Sequence, residues 1–312
     1  MKKGLKVTLL LLMDVLLTGA SLIVFALFHH VLKAELKSED VKIESEENIK
    51  VCESSADDGI FACTCKTQKE STETKYVSEN IRVEITTYNE PKLIYHVADV
   101  HVKNIESIQT VFAKDSYGKG FYEWPDAIDK RVGAILTVNG DYYGLTNSGV
   151  IIRNGTLYRS STNRADIGVL YRNGELKTYR SSEFNIDEVI SNGAYQAWNF
   201  GPALLDSNGK AMTEFPSTTV IPKNPRSAIG YYEPGHYVFV NVEGRTDTSD
   251  GMTMAELSSL FEKLGCKSAY NLDGGQSAMM VFNDKFVNNL CEGGRTVSDV
   301  IVIKEVTNED NN

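Results

Sequence analysis

Several apolar runs in this chain end on side chains that can do chemistry. Asp273 follows "SAYNL" and precedes Gly274 and Gly275. Asn139 and Asp141 follow "AILTV", Arg226 opens "RSAIG", and Glu243 and Arg245 close "YVFVNV". One such residue is ordinarily a turn or a solvated group. Several together, each at the tip of a buried strand, predict a shared site at the strand ends. Carboxylates there would serve as base, acid or nucleophile. Guanidinium groups would bind an anion such as phosphate through a two-pronged fork. Two glycines after Asp273 allow backbone angles or close approaches barred to larger residues. Read alone, Asp-Gly-Gly fits equally well a plain hairpin turn joining "AYNL" to "AMMVF".

The elements that must position these residues are mostly strands. "IRVEITTY" alternates, while "KLIYHVADVHV", "AILTV" and "YVFVNV" are strand-like apolar runs. "GVIIRNGTLYR" and "IGVLYRNGELKTY" each predict a hairpin turning on Asn-Gly. "GMTMAELSSLFEKLGC" predicts a helix with a Thr253/Glu256 capping box. Leu257, Leu260, Phe261 and Leu264 lie on one face, and Gly265 ends it. The fold class is therefore α+β: a single strand-rich mixed domain with a few helices, over residues 81–306. His96, His101 and His236 fall on strands, where packing or exposure is the ordinary fate of a histidine. Tyr142, Tyr143, Trp198 and Phe200 lie near the polar loops. There they are either sugar-stacking faces or core.

Ahead of the domain the composition changes. "MKKGLK" is basic, and Val7 to Phe28 is almost wholly apolar. About 22 residues at ~1.5 Å each can cross a ~30 Å hydrocarbon layer. This predicts an uncleaved signal-anchor: one transmembrane helix in residues 1–33, lysines in the cytoplasm and the C-terminal domain outside the cell membrane. Asp14 within the run is either tolerated or marks a partner helix. Residues 34–80 are rich in Glu, Lys, Ser and Thr and read as a polar stalk or linker. Residues 307–312 read as a loose tail. Five cysteines make an odd number and leave disulfide pairing unreadable. A net charge of -10 argues against a nucleic-acid partner.

The segments "VNGDYYG", "NPRSAIG", "VEGR", "DGMTMAEL", "LGCKSAYNLDGG", "NLDGGQSAMM" and "RTVSDVIVI" occur in that order. Together they resemble the phosphodiester glycosidase family over residues 95–305. The resemblance implies hydrolysis of a sugar-1-phosphodiester at the anomeric C–O bond, with a carbohydrate-phosphate as substrate. It further implies a membrane-anchored protein acting on cell-envelope or exopolysaccharide glycans. On this basis Asp273 and Glu243 are the candidate catalytic carboxylates. Arg226 and Arg245 are assigned to phosphate, and Asn139 and Asp141 to sugar hydroxyls. Gly274, Gly275 and Ser277 would complete substrate binding. No cofactor is required by the sequence. Asp141, Asp273 and Glu243 nevertheless offer oxygen ligands that would suit Ca²⁺ or Mg²⁺. The family usually carries a third glycine where this chain has Gln276. A non-catalytic glycan-binding or polysaccharide-assembly protein is therefore the alternative.

Overall fold

The structure is a computed structural model that describes residues 12–23, 34–43, 69–215 and 220–306. Three antiparallel sheets make up the body. The largest has seven strands, running Ser268–Asn271, Arg226–Glu233, His236–Val242, Leu93–Val102, Ile81–Glu90, Lys75–Val77 and Glu70–Ser71 in spatial order. A five-stranded sheet runs Lys285–Phe286, Met280–Phe282, Leu136–Asn139, Asp299–Ile303 and Ile108–Phe112. A six-stranded sheet holds the two Asn-Gly hairpins, the strand Ala194–Trp198 and, at one edge, Val41–Lys42. The domain is thus α+β and strand-rich, with three short helices accompanying the sheets: Pro125–Val132, Ile186–Ser191 and Met254–Leu264.

Strand alternation explains how the layers bury themselves. In Leu93–Val102 the even positions Ala98, Val100 and Val102 pack with Leu136, Val138, Met280 and Ile301 of the five-stranded sheet. The odd positions Tyr95 and Val97 turn the other way, with Val238 and Val240, and lie under helix Met254–Leu264. That helix starts on the expected capping box and stops at Gly265, whose φ is 82°. Leu257 and Phe261 are fully buried, and Leu260 and Leu264 pack beside them. The Asn154-Gly155 hairpin has φ of 52° and 77° at its two central residues, as a tight turn matched to strand twist requires.

Parts of the span expected as linker join these sheets. Val41 pairs with Leu157 and Lys42 with Thr156, and Ile43 is buried among Val150, Leu157 and Val169. Glu70–Ser71 and Lys75–Val77 extend the edge of the seven-stranded sheet. Residues 44–68, with Cys52, Cys63 and Cys65, and the tail 307–312 lie outside the described residues. Cys266 and Cys291 are buried free thiols. Residues 12–23 are helical and exposed. Among the described residues no helix is long and apolar enough to cross a membrane. Both ends of the expected anchor, 7–11 and 24–28, fall outside them.

Candidate active site

The chain passes from one sheet to another at Asp273. Ser268–Asn271 belongs to the seven-stranded sheet and Met280–Phe282 to the five-stranded one. Asp-Gly-Gly is therefore a crossing between layers and not a hairpin turn. Each glycine has its own reason. A Cβ on Gly274 would stand 2.6 Å from the carbonyl oxygen of Pro225, so the loop can lie against the "NPR" segment only without one. Gly275 has a φ of 62°, and its N–H donates to that same carbonyl at 3.1 Å.

The crossing places Asp273 beside the end of strand Leu136–Asn139. Its N–H donates to the carbonyl of Gly140 at 3.2 Å. On the other side of Gly140, the N–H of that glycine donates to the carbonyl of Asp299 at 3.1 Å. Gly140 is thus wedged between two residues that carry carboxylates. A Cβ there would fall 2.1 Å from Asp299 Oδ1. Beside this junction opens a cavity of about 190 Å³ whose walls include Tyr122, Tyr142, Asp273, Ser277, Arg295 and Asp299.

Asp273 is the better-connected carboxylate. Its Oδ2 accepts from Arg295 Nη2 at 2.7 Å, and its Oδ1 accepts from the N–H of Gly274 at 2.9 Å. Arg295 Nε donates to Ser277 Oγ at 2.5 Å, and the Ser277 hydroxyl also bonds the Asp273 carboxylate. Burial pushes Asp273 above its ordinary range, against the opposing pull of Ser277, Arg295 and Gly274. The Arg295 guanidinium lies over the Tyr142 ring, 5.0 Å from its centroid, and is itself about a third exposed, 36%. Arg295 is one of the cavity walls.

Asp299 belongs to a buried triad. Arg153 Nη2 contacts Asp141 Oδ1 and Asp299 Oδ2, each at 2.8 Å, and all three side chains are about 1% exposed. One guanidinium faces two carboxylates, so electrical balance in a dry site retains one proton. Burial pushes Asp299 up to about 7, Arg153 opposes this, and Asp141 adds to it. Asp299 Oδ1 has no hydrogen-bond partner among the described residues. Asp273 and Asp299 thus both border the cavity as residues and both are held by arginine, Asp273 by the partly exposed Arg295 and Asp299 by the buried Arg153.

The other expected site residues are placed differently. Asn139 borders the cavity, but its amide is saturated. Nδ2 donates to the carbonyls of Asp273 and Gly140, and Oδ1 accepts from Ser227 Oγ and the N–H of Met279. It staples the loop and has no bond left for a sugar hydroxyl. Asp141 is likewise committed, to Arg153 and to the N–H of Asn199. The buried guanidinium of Arg226 donates to the carbonyls of Met252, Val220 and Pro222. Burial and nearby Arg245 push it down to about 10. Arg226 thus organises the loops behind the site and is not among the cavity walls. Arg245 is exposed, holds Asn224 and borders Gly275 from outside the cavity.

Glu243 is buried away from the cavity walls. It accepts from Asn289 through both oxygens and meets His96 Nε2 at 3.0 Å. Burial pushes it up, but His96 and Asn289 together outweigh this and hold it below its ordinary range. Asp141, Asp273 and Glu243 each satisfy a separate partner and do not converge as ligands for one ion. Arg295 and Asp299 stood outside the expected set although both lie in "RTVSDVIVI". The signal was present, since a polar residue at the lip of an apolar strand marked all the others.

A strand-tip pocket in which a buried carboxylate is paired with a partly exposed guanidinium is the candidate active site. The chain belongs to the phosphodiester glycosidase family, a family of hydrolases: the family's model matches residues 132–304, more than half of the chain. It is similar to the SPbeta prophage-derived uncharacterized protein YomE of Bacillus subtilis strain 168, with 30% identity over 233 residues and 67% of this chain covered. The chain spans 36% of that relative's length. Its fold resembles the catalytic domain of zebrafish N-acetylglucosamine-1-phosphodiester alpha-N-acetylglucosaminidase, a structure auto-inhibited by its pro-peptide. The TM-score is 0.59 and the identity 20%, over 77% of this chain and 88% of that one.

Proposed function

We propose that this domain hydrolyses a sugar-1-phosphodiester at the anomeric C–O bond. The observation that carries the reading is the pairing of Asp273 and Arg295 at the wall of a cavity shared with Asp299. A phosphodiester oxygen is a weak base, so the leaving group departs with little protonation. The site must instead stabilise charge. Arg295 is placed to meet the departing phosphate, since two of the five N–H donors of a guanidinium are engaged with Ser277 and Asp273. Asp273 is placed to act on the anomeric carbon, either directly or through water. Tyr142, beneath Arg295, offers an aromatic face to the sugar.

Gln276 does not stand against this reading. Its Nε2 donates to Glu292 Oε2 at 3.0 Å, and it is not among the cavity walls. The side chain that replaces the family's third glycine is thus turned toward the neighbouring loop. We extend the proposal to placement: the apolar run Val7–Phe28, with lysines before it, supports a single-pass anchor with the domain outside the cytoplasm, acting on envelope or exopolysaccharide glycans. Full-length protein in detergent, incubated with a GlcNAc-1-phosphodiester, should release free GlcNAc. Saturable binding without release would favour a glycan-binding role instead. Neither binding nor release would favour an assembly role. Protease accessibility of the domain in intact cells tests the orientation.

A further inference from the structure

Far from the cavity, three side chains with metal-binding atoms meet on the outer face of the seven-stranded sheet. His101 and His236 sit directly opposite each other on neighbouring antiparallel strands, and Asp99 lies two residues from His101 on the same face. The register alone brings them together, because side chains two apart on a strand share a face. The imidazoles are stacked, with centroids 3.8 Å apart and planes 17° from parallel. Both Nε2 atoms therefore point the same way, toward the Asp99 carboxylate: His236 Nε2 lies 2.7 Å from Oδ1 and His101 Nε2 3.3 Å from Oδ2. One ligand atom from each residue lies within 4.8 Å of the others.

We propose that Asp99, His101 and His236 form a binding site for a first-row divalent transition metal, with Zn²⁺ as the fitting ion. Zinc takes nitrogen and oxygen ligands at about 2.0–2.2 Å in a tetrahedron, which sets donor atoms roughly 3.3–3.5 Å apart. The 3.3 Å separation already matches, the 2.7 Å one needs an opening of about half an ångström, and the stacked imidazoles must splay so that each Nε2 lone pair points at the ion. Two imidazoles select zinc over Ca²⁺ and Mg²⁺, which prefer all-oxygen sets. The Asp99 side chain is 41% exposed, which leaves the fourth position open to water. Tyr232 stacks on the far face of the His236 ring at 4.3 Å and holds its orientation. The one nearby cation on the adjoining strand, Arg82, is neutralised by Glu84 at 2.6 Å.

The site lies at the opposite end of strand His236–Val242 from Glu243. Seven residues at ~3.3 Å each put it roughly 20 Å along the sheet from that residue. An ion there ties two central strands together and has no part in the hydrolytic step. Its existence is thus independent of the proposed activity.

The test uses the full-length chain carrying Cys52→Ser, Cys63→Ser and Cys65→Ser, which removes three of the five thiols and leaves the buried Cys266 and Cys291 in place. Equilibrium dialysis against Zn²⁺ should leave one ion per chain, and Ca²⁺ or Mg²⁺ should leave none. His101→Ala and His236→Ala should each weaken binding by roughly 100-fold or more. Zinc at ~100 times its Kd should raise Tm by about 5 °C in the parent and leave the double variant unmoved. Imidazole NMR signals of the unsubstituted histidines give a readout that needs no variant: on adding zinc, two of them should shift. Equal zinc retention by the His101→Ala/His236→Ala protein, or imidazole signals that ignore zinc, would overturn the site and leave a hydrogen-bonded His–Asp–His cluster.

Discussion

Asp273 and Asp299 differ in what holds them, and that difference sets separate expectations. Asp273→Asn keeps the bond from the Gly274 N–H but removes the charge that acts at the anomeric carbon. Release of sugar should fall by at least ~100-fold while the thermal melt stays near that of the parent. Full activity in this variant would remove Asp273 from the chemistry. Asp299 enters through pH. Its folded pKa of about 7 lies above its ordinary 3.8. Between those values the folded chain keeps a proton that the unfolded chain has released, so the Asp299 contribution to stability falls as pH rises from about 4 to 7. Below about 4 both states are protonated and nothing is lost. Melts of the parent should therefore lose stability across this window relative to Asp299→Asn, whose profile lacks that slope. The two arginines separate just as cleanly. Arg295→Lys should lower kcat/KM and leave Tm nearly unchanged. Arg226→Ala strands three backbone carbonyls, and a stability loss of about 3 kcal/mol is expected in denaturant melts.

Strand ends and the loops between sheets carry the site, and glycines there are geometric requirements. Gly140→Ala would force a Cβ into Asp299 Oδ1, so either the carboxylate or the strand must shift. Loss of roughly 1–3 kcal/mol is expected, together with loss of turnover, even though alanine adds one carbon. Denaturation and sugar release measured on the same preparation check both. Helix Met254–Leu264 offers a contrast, because its role is to cover the outer face of the sheet. Thr253→Ala removes the bonds that its hydroxyl donates to the Glu256 carboxylate and accepts from the Glu256 N–H, and should cost about 1 kcal/mol without changing the cavity. These elements were legible for local reasons. The capping box, Gly265 and the Asn-Gly turns act over a few residues, and the alternation in "KLIYHVADVHV" reports which face is buried whatever lies across from it. Which sheet each strand joins is a long-range matter. "AYNL" and "AMMVF" looked like two arms of one hairpin because nothing within ten residues says that they part.

Over the whole molecule, the cavity exists because two sheets bring their strand tips to one place and the Asp273 loop crosses between them. The chain before residue 81 takes part in that body more than its composition suggests. Ile43, at 5% exposure, packs in the core of the six-stranded sheet. Ile43→Ala should therefore destabilise the domain by about 2–3 kcal/mol, a loss that a free linker would not produce. Melting curves of the full chain decide between the two.

The sequence by itself determined the α+β class, the family, the capped helix and the Asn-Gly hairpins. All of these follow from short-range pattern or from the order of motifs. Only the tertiary structure decided which polar residues share the cavity. It replaced Arg226 with Arg295 as the guanidinium beside Asp273, drew Asp299 in, and turned Asn139, Asp141 and Glu243 toward protein partners. The physical reason is that a buried polar group must be satisfied by whatever lies nearest. Whether its partner is a backbone carbonyl, another side chain or a substrate depends on strands far apart in the chain.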